Sequence, residues 1–173
     1  MDTITAIRTI RVIRDYADTP LTEDEVRFLA DAARKTGSSK NVQHWDFITI
    51  RDRESLRRLS GVTQFAKHLP SAGAAIALVV DAPNPDHARS VLWDLGRAAQ
   101  NIALVAWDMG IGSCPITVRD FDLAADVLGL PPDKQCQYLM ALGWPAEAQF
   151  YVPQEALAVF RAAQDQGAKA QGG

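Results

Sequence analysis

Apolar residues recur at Val26, Leu29, Ala30 and Ala33, the spacing of one helix face. Residues 22–35 therefore predict an amphipathic helix. Thr22 and Glu25 stand in capping-box register, where each side chain satisfies a free amide of the first turn. Arg34 and Lys35 suit the negative end of the helix dipole, and Gly37 can supply a left-handed stop. The period then changes. Trp45-Asp46-Phe47-Ile48-Thr49-Ile50 alternates as a half-buried strand does. Residues 52–59 predict a short charged helix. Residues 74–80 are continuously apolar and of strand length, which predicts a central strand covered on both faces and ended by Pro83 and Pro85.

The longest pattern runs over residues 86–109. Val91, Leu95, Ala98, Ile102, Val105 and their neighbours cover a wide helical surface, which predicts burial on more than one side. Asp94, Arg97, Asn101 and Asp108 form the remaining stripe, and Gly110 ends the helix. Residues 112–117 predict a short loop or strand. Residues 121–128 predict a helix stopped by Gly129, and residues 138–142 a buried strand broken by Gly143. Pro153 opens a last helix over residues 154–163, and residues 167–173 are small and polar, a disordered tail. Strands and helices mix around one dominant helix, with no repeat, no internal linker and no regular βαβ series. The prediction is an α+β fold, one domain over residues 1–166.

At 173 residues the chain is long enough to bury roughly 70% of its unfolded surface. It needs neither disulfide nor metal for a core. Its net charge of −3 argues against a nucleic-acid surface. No apolar run approaches a membrane span. The start, Met1-Asp2-Thr3-Ile4, lacks a basic region followed by an apolar stretch, so a cytoplasmic protein is expected. Cys114 and Cys136 lie far apart without zinc or CxxC spacing, and Cys136 reads as an inert core thiol.

Two clusters carry candidate chemistry. Arg8, Arg11 and Arg14 recur every third residue, along one edge of a helix or in a column of a tighter turn. Guanidinium forks meet phosphate oxygens with charge-assisted bonds worth about 1.5–3 kcal/mol each. The commoner fate of such a run is a solvated face, with Arg14 paired to Asp15 or Asp18. The second cluster is the loop Ser38-Ser39-Lys40-Asn41-Val42-Gln43. The primary amides of Asn41 and Gln43 match the alternating donors and acceptors of a flavin pyrimidine edge. Serine and asparagine also cap their own backbone in ordinary loops. Trp45 reads as core. Gly110-Ile111-Gly112 closes a helix, so it is a stop and not a dinucleotide fingerprint. Cys114-Pro115-Ile116-Thr117 offers backbone amides to a cofactor ring. His44, His68 and His87 share no metal-ligand spacing, and no GxSxG element is present. Without a legible nucleophile, metal set or acid–base pair, cofactor chemistry fits best.

Four segments, in order, resemble the flavin-dependent nitroreductase family. They are Ile10-Arg11-Val12-Ile13-Arg14-Asp15-Tyr16, the run from Gly37 to Phe47, the helix and turn from Asp94 to Ser113, and Leu128-Gly129-Leu130-Pro131 followed by Leu142-Gly143-Trp144-Pro145. The resemblance implies a three-layer α+β fold, with a mixed central sheet flanked by helices and a long central helix. It implies FMN as cofactor, with Arg11 and Arg14 at its phosphate or ribityl oxygens and Val12 contributing backbone only. Ser38, Asn41 and Gln43 would meet the isoalloxazine edge, and Pro115, Ile116 and Thr117 would lie against the ring. It further implies a homodimer with flavins at the interface, and hydride transfer from NAD(P)H through flavin to a small electron acceptor such as a nitroaromatic or quinone, by a ping-pong mechanism. A non-catalytic flavin-binding module and a deazaflavin-dependent reductase are the alternatives. The chain departs from the family at Ile10, where an arginine is usual, and at Gly37 and His44, where prolines are usual. Residues 146–160 hold no lysine or arginine, so Arg161 is the first candidate for the family's late basic residue.

Overall fold

The apolar run beginning at Ala74 becomes the strand around which the chain is arranged. In a computed structural model the described residues are 1–81 and 88–146. Four strands, β1 (Trp45–Ile50), β2 (Ala74–Asp81), β3 (Gly112–Thr117) and β4 (Lys134–Gly143), form one sheet in the order β1-β2-β4-β3. Phe47 lies opposite Leu78, Ile76 opposite Met140, and Cys114 opposite Ala141. All three ladders are antiparallel. Of the mixed sheet that the resemblance implies, the described residues show the antiparallel ladders and one parallel bridge, Val12 to Ser113.

Side chains alternate across β2, and both sets are buried. Ala75, Ala77 and Val79 enter one core with Leu56, Leu59 and Ala124. Ala74, Ile76, Leu78 and Val80 enter the other with Leu29, Leu95 and Ile102. The first core is roofed by α3 (Arg53–Leu59) and α5 (Phe121–Leu128). The second is roofed by α2 (Glu23–Arg34) and α4 (Ala88–Asp108). These are the three layers that the resemblance implies. Each fully buried leucine or isoleucine contributes about 1.5–3 kcal/mol relative to exposure.

Local signals set most boundaries. Thr22 and Glu25 complete the capping box of α2. Asp52 and Asp120 accept from backbone amides at the starts of α3 and α5. Gly110 (φ 79°) and Gly129 (φ 64°) take the left-handed conformation after α4 and α5. Trp45 and Cys136 are buried, as their positions predict. No helix of the described residues is long and apolar enough to cross a membrane. The end of β2 at Pro83 and Pro85, the last helix at 154–163, Arg161 and the tail lie outside the described residues.

Two readings are corrected. Helix α1 (Thr3–Thr9) ends before Arg11, so the arginines share no helical face. The β-branched run Ile10, Val12 and Ile13 is poorly suited to a helix. The sheet edge meanwhile offers a partner: the Ile13 amide donates to the Ser113 carbonyl at 2.9 Å. Second, Gly37 is not left-handed. That conformation falls instead on Lys40 (φ 51°), Asn41 (φ 57°) and Gln43 (φ 53°).

The segment after α1 is held by close packing on glycines. Tyr16 is buried, and its hydroxyl donates to the Ile13 carbonyl at 2.7 Å. A Cβ on Gly143 would lie 2.7 Å from Cδ1 of Tyr16 and 3.1 Å from the Gly73 nitrogen. Neither neighbour is free to withdraw. Gly143→Ala is expected to lower stability by about 1–3 kcal/mol. The check is a reduced urea midpoint with unchanged slope; an unchanged midpoint would show that the Tyr16 seam yields easily.

Candidate functional site

The extended segment after α1 brings Arg14 to the exposed side of β3. Together with the turn at residues 63–65 they form a cavity of about 440 Å³, lined by Arg14, Thr63, Phe65, Cys114, Pro115, Ile116, Thr117 and Arg119. Its walls are fixed by backbone bonds. The Val12–Ser113 bridge holds the arginine segment, and the amides of Arg119 and Asp120 both donate to the Val62 carbonyl at 3.0 Å. Strand alternation sorts the side chains: Cys114, Ile116 and Val118 are buried, while Pro115, Thr117 and Arg119 are exposed. Pro115 is tolerated because β3 ends the sheet, with a ladder on one side only.

The lining contains two guanidiniums and no carboxylate, so the cleft favours an anion. Burial pushes the Cys114 thiol up, a shift partly offset by the charge and hydrogen bond of Arg14. Cys114 is therefore a thiol at neutral pH, not a nucleophilic thiolate. Burial also raises Cys136, to about 12. His68 packs near Tyr16, with ring centroids 6.4 Å apart. Its Nε2 is buried and has no hydrogen-bond partner among the described residues. Burial, then the charge of Arg14, lowers its pKa below the ordinary value, so the folded chain holds the ring neutral.

Arg14 thus meets Pro115, Ile116 and Thr117 in one place. Arg8 and Arg11 do not line that cleft. Arg11 turns back on α1, donating to the carbonyls of Ile10 at 2.9 Å, Thr9 at 3.0 Å and Arg8 at 3.4 Å. It serves the helix end, where orphan carbonyls and the dipole favour a cation. Val12 bridges to β3 through backbone and is itself exposed. Asp18 pairs with Arg53 at 3.1 Å.

The Ser38–Gln43 loop is built separately. The polar stripe of α4 anchors it. Buried Asp94 accepts from the Ser39 amide at 3.3 Å, and Arg97 donates to the Gly37 carbonyl at 3.0 Å while pairing with Asp94 at 3.4 Å. Asn101 donates to the Thr36 hydroxyl at 2.9 Å. Within the loop, the Ser38 hydroxyl accepts from the Gln43 amide at 3.1 Å. Left-handed backbone costs an L-residue about 1–2 kcal/mol. Asparagine bears it most easily, lysine and glutamine less so. Asn41 and Gln43 are exposed. Neither lines the Arg14 cleft; Gln43 instead lines a cavity of about 820 Å³ with Phe28, Trp45 and Phe47. The two predicted clusters therefore lie apart within one chain.

Arg119, Thr63 and Phe65 were not singled out from the sequence. Arg119 carried a usable signal, since it continues the exposed period-two series from Pro115 and Thr117. Thr63 and Phe65 carried none: they reach the cleft through the turn after α3.

The chain matches the model of the nitroreductase family over residues 7–69 and 64–144. A relative from Archaeoglobus fulgidus, named provisionally as an NADH dehydrogenase/NAD(P)H nitroreductase, is 35% identical over 152 residues, 84% of this chain and 87% of its own length. An NADPH-dependent FMN reductase of Bacillus subtilis is 27% identical over 84% of this chain and 66% of its own. A solved FMN-dependent nitroreductase from Clostridium difficile superposes with a TM-score of 0.75 at 24% identity, covering 88% of this chain and 94% of its own, and shares the fold.

Neutral His68 gives the fold a pH dependence of known sign. In the unfolded chain its imidazole titrates near 6.5. As pH falls through that value the unfolded state takes up the proton first, so stability present above about pH 6.5 is lost below it. Between about pH 8 and pH 5.5, the parent should lose more stability than His68→Phe. The His44–Asp81 contact is common to both proteins and cancels. Equal losses in chemical denaturation would show that the imidazole is not held neutral.

Proposed function

The chain belongs to the nitroreductase family, and from that premise we propose that its Arg14 cleft binds FMN and serves NAD(P)H-dependent reduction of small electron-poor molecules such as nitroaromatics, quinones or conjugated carbonyls. The observation that carries this reading is the meeting of Arg14 with the exposed face of Pro115 and Thr117 in one cleft free of carboxylates. The name of the Bacillus subtilis relative supports the cofactor. The donor set fits: a planar cation for phosphate or ribityl oxygens, and a strand wall for a flat ring.

When bound, FMN would supply hydride-transfer chemistry between a nicotinamide and an electron acceptor. The protein's own tasks are binding, orientation and exclusion of water. Arg14 neutralises anionic cofactor oxygens, and it is rigidly placed because Ile13 and Tyr16 on either side of it are buried. Pro115, Ile116 and Thr117 present the wall against which the ring lies. Cys114, held as a thiol, adds no competing charge. Reductant and acceptor use the same open side in turn, which is the ping-pong pattern.

The reading includes a homodimer. Ser38, Asn41 and Gln43 stand off the Arg14 cleft of their own chain, on a loop strained toward a fixed shape. A second copy would bring that loop to the ring edge. Exposed Ile4, Ile7, Leu92 and Trp93, the last 73% accessible, provide apolar surface for the contact. Two buried free cysteines accord with a reducing, cytoplasmic location.

Two measurements bear on this reading. Initial rates with NADH or NADPH and a quinone should give parallel double-reciprocal lines; intersecting lines would remove the alternating mechanism. Arg14→Ala is expected to weaken FMN binding about tenfold or more, the loss of one charge-assisted contact. Arg57→Ala, exposed on α3 and paired with Glu54, should leave it unchanged. Equal flavin content in the two purified variants would remove Arg14 from the site.

A further inference from the structure

The cleft does not close at Arg119. A second cavity, about 630 Å³, shares Thr63 and Arg119 with the first and continues past Gly61, Phe121 and Gln135. Arg119 stands at the junction. Its backbone is pinned by the bond to Val62, and the following amide is pinned to the same carbonyl. Its side chain is exposed, and among the described residues no group pairs with it. The nearest carboxylate in sequence, Asp120, accepts from the Leu123 amide at 2.9 Å as the cap of α5. The fixed backbone keeps the unpaired guanidinium within reach of both cavities.

The surroundings narrow the anion. On the inner side of Arg119 lies the proposed flavin wall, in a cavity that exposed Phe65 also lines. On the outer side lies Phe121, partly exposed, and the pocket there also holds Asp120 and Asp122. Those carboxylates disfavour an anion deep in the outer cavity, so the negative group is confined to the junction. A ligand with a flat ring at each end and negative charge between them has this layout.

Resting on the flavin reading above, we propose that Arg119 binds the diphosphate of the incoming NAD(P)H. The nicotinamide then reaches inward to the open face of the flavin, opposite the Pro115–Thr117 wall, and the adenine lies outward over Phe121. The diphosphate is common to NADH and NADPH, so Arg119 serves both. It also accounts for a cleft with two arginines from unrelated segments: Arg14 meets the resident cofactor, and Arg119 meets the transient one.

The test compares Arg119→Gln with the parent, both loaded with FMN. The expected result is a rise of about tenfold or more in KM for NADH and NADPH alike, the loss of one charge-assisted contact. Flavin content should be unchanged. Reduction by 1-benzyl-1,4-dihydronicotinamide, which has no phosphate, should proceed at the parent's rate. Equilibrium dialysis of NAD⁺ against the loaded proteins should show the same weakening, and Arg119→Lys should restore part of it. Three results would overturn the proposal: flavin lost from Arg119→Gln, which would make Arg119 a ligand of FMN; a loss confined to NADPH, which would place the 2′-phosphate at the junction; or equal slowing with the benzyl reductant. A parent protein that takes up no FMN would end the functional reading itself, and this proposal with it, before any variant is compared.

Discussion

Ala74 to Val80 has no side that can face water. Each residue of that run is buried, and neighbours point into different cores. A strand of this kind must be covered above and below and paired along both edges. Everything else in the fold answers that demand. β1 and β4 satisfy its hydrogen bonds, α2 and α4 cover one face, and α3 and α5 cover the other. The outer strand β3 is left with a ladder on one side. Its second edge is available, and the segment after α1 takes the first place on it.

That placement explains why the cleft lies at the edge of the sheet. The chain crosses β3 at Val12 and Ser113 and then turns away, with Tyr16 anchored on Gly143. Arg14 falls between two buried side chains, so its backbone has little freedom while its head faces the cavity. The remaining wall comes from the turn after α3 and the start of the β3–α5 connection. Both are tied to the carbonyl of Val62 or its neighbours in the chain. The cleft is therefore made of short pieces clamped to the sheet, and none of its lining depends on a long loop.

The second polar feature follows a different logic. On α4, Asp94, Arg97 and Asn101 recur at helical spacing and bond to the end of α2 and the loop after it. A buried carboxylate needs partners, and Asp94 finds them in a backbone amide and a guanidinium. The left-handed residues at Lys40, Asn41 and Gln43 are the local cost of that arrangement. Held this way, the loop keeps its amides exposed and away from its own chain's Arg14 cleft.

Read without coordinates, the chain already determines its helix starts, its buried central strand and its α+β class. These depend on neighbours a few residues apart: the capping box of Thr22 and Glu25, the apolar run of β2, the glycine stops at Gly110 and Gly129. The family resemblance is legible for the same reason, since its motifs are short and collinear. Tertiary structure alone decided the rest. The equal spacing of Arg8, Arg11 and Arg14 suggested one shared face, yet α1 ends at Thr9 because a strand edge more than ninety residues away competes for the Ile13 amide. The partners of Asp94 and Arg97, the separation of the 38–43 loop from Arg14, and the junction position of Arg119 arise likewise from segments distant in sequence. Periodicity records how each residue relates to its own element; which elements then meet is settled by packing and hydrogen-bond competition across the whole chain.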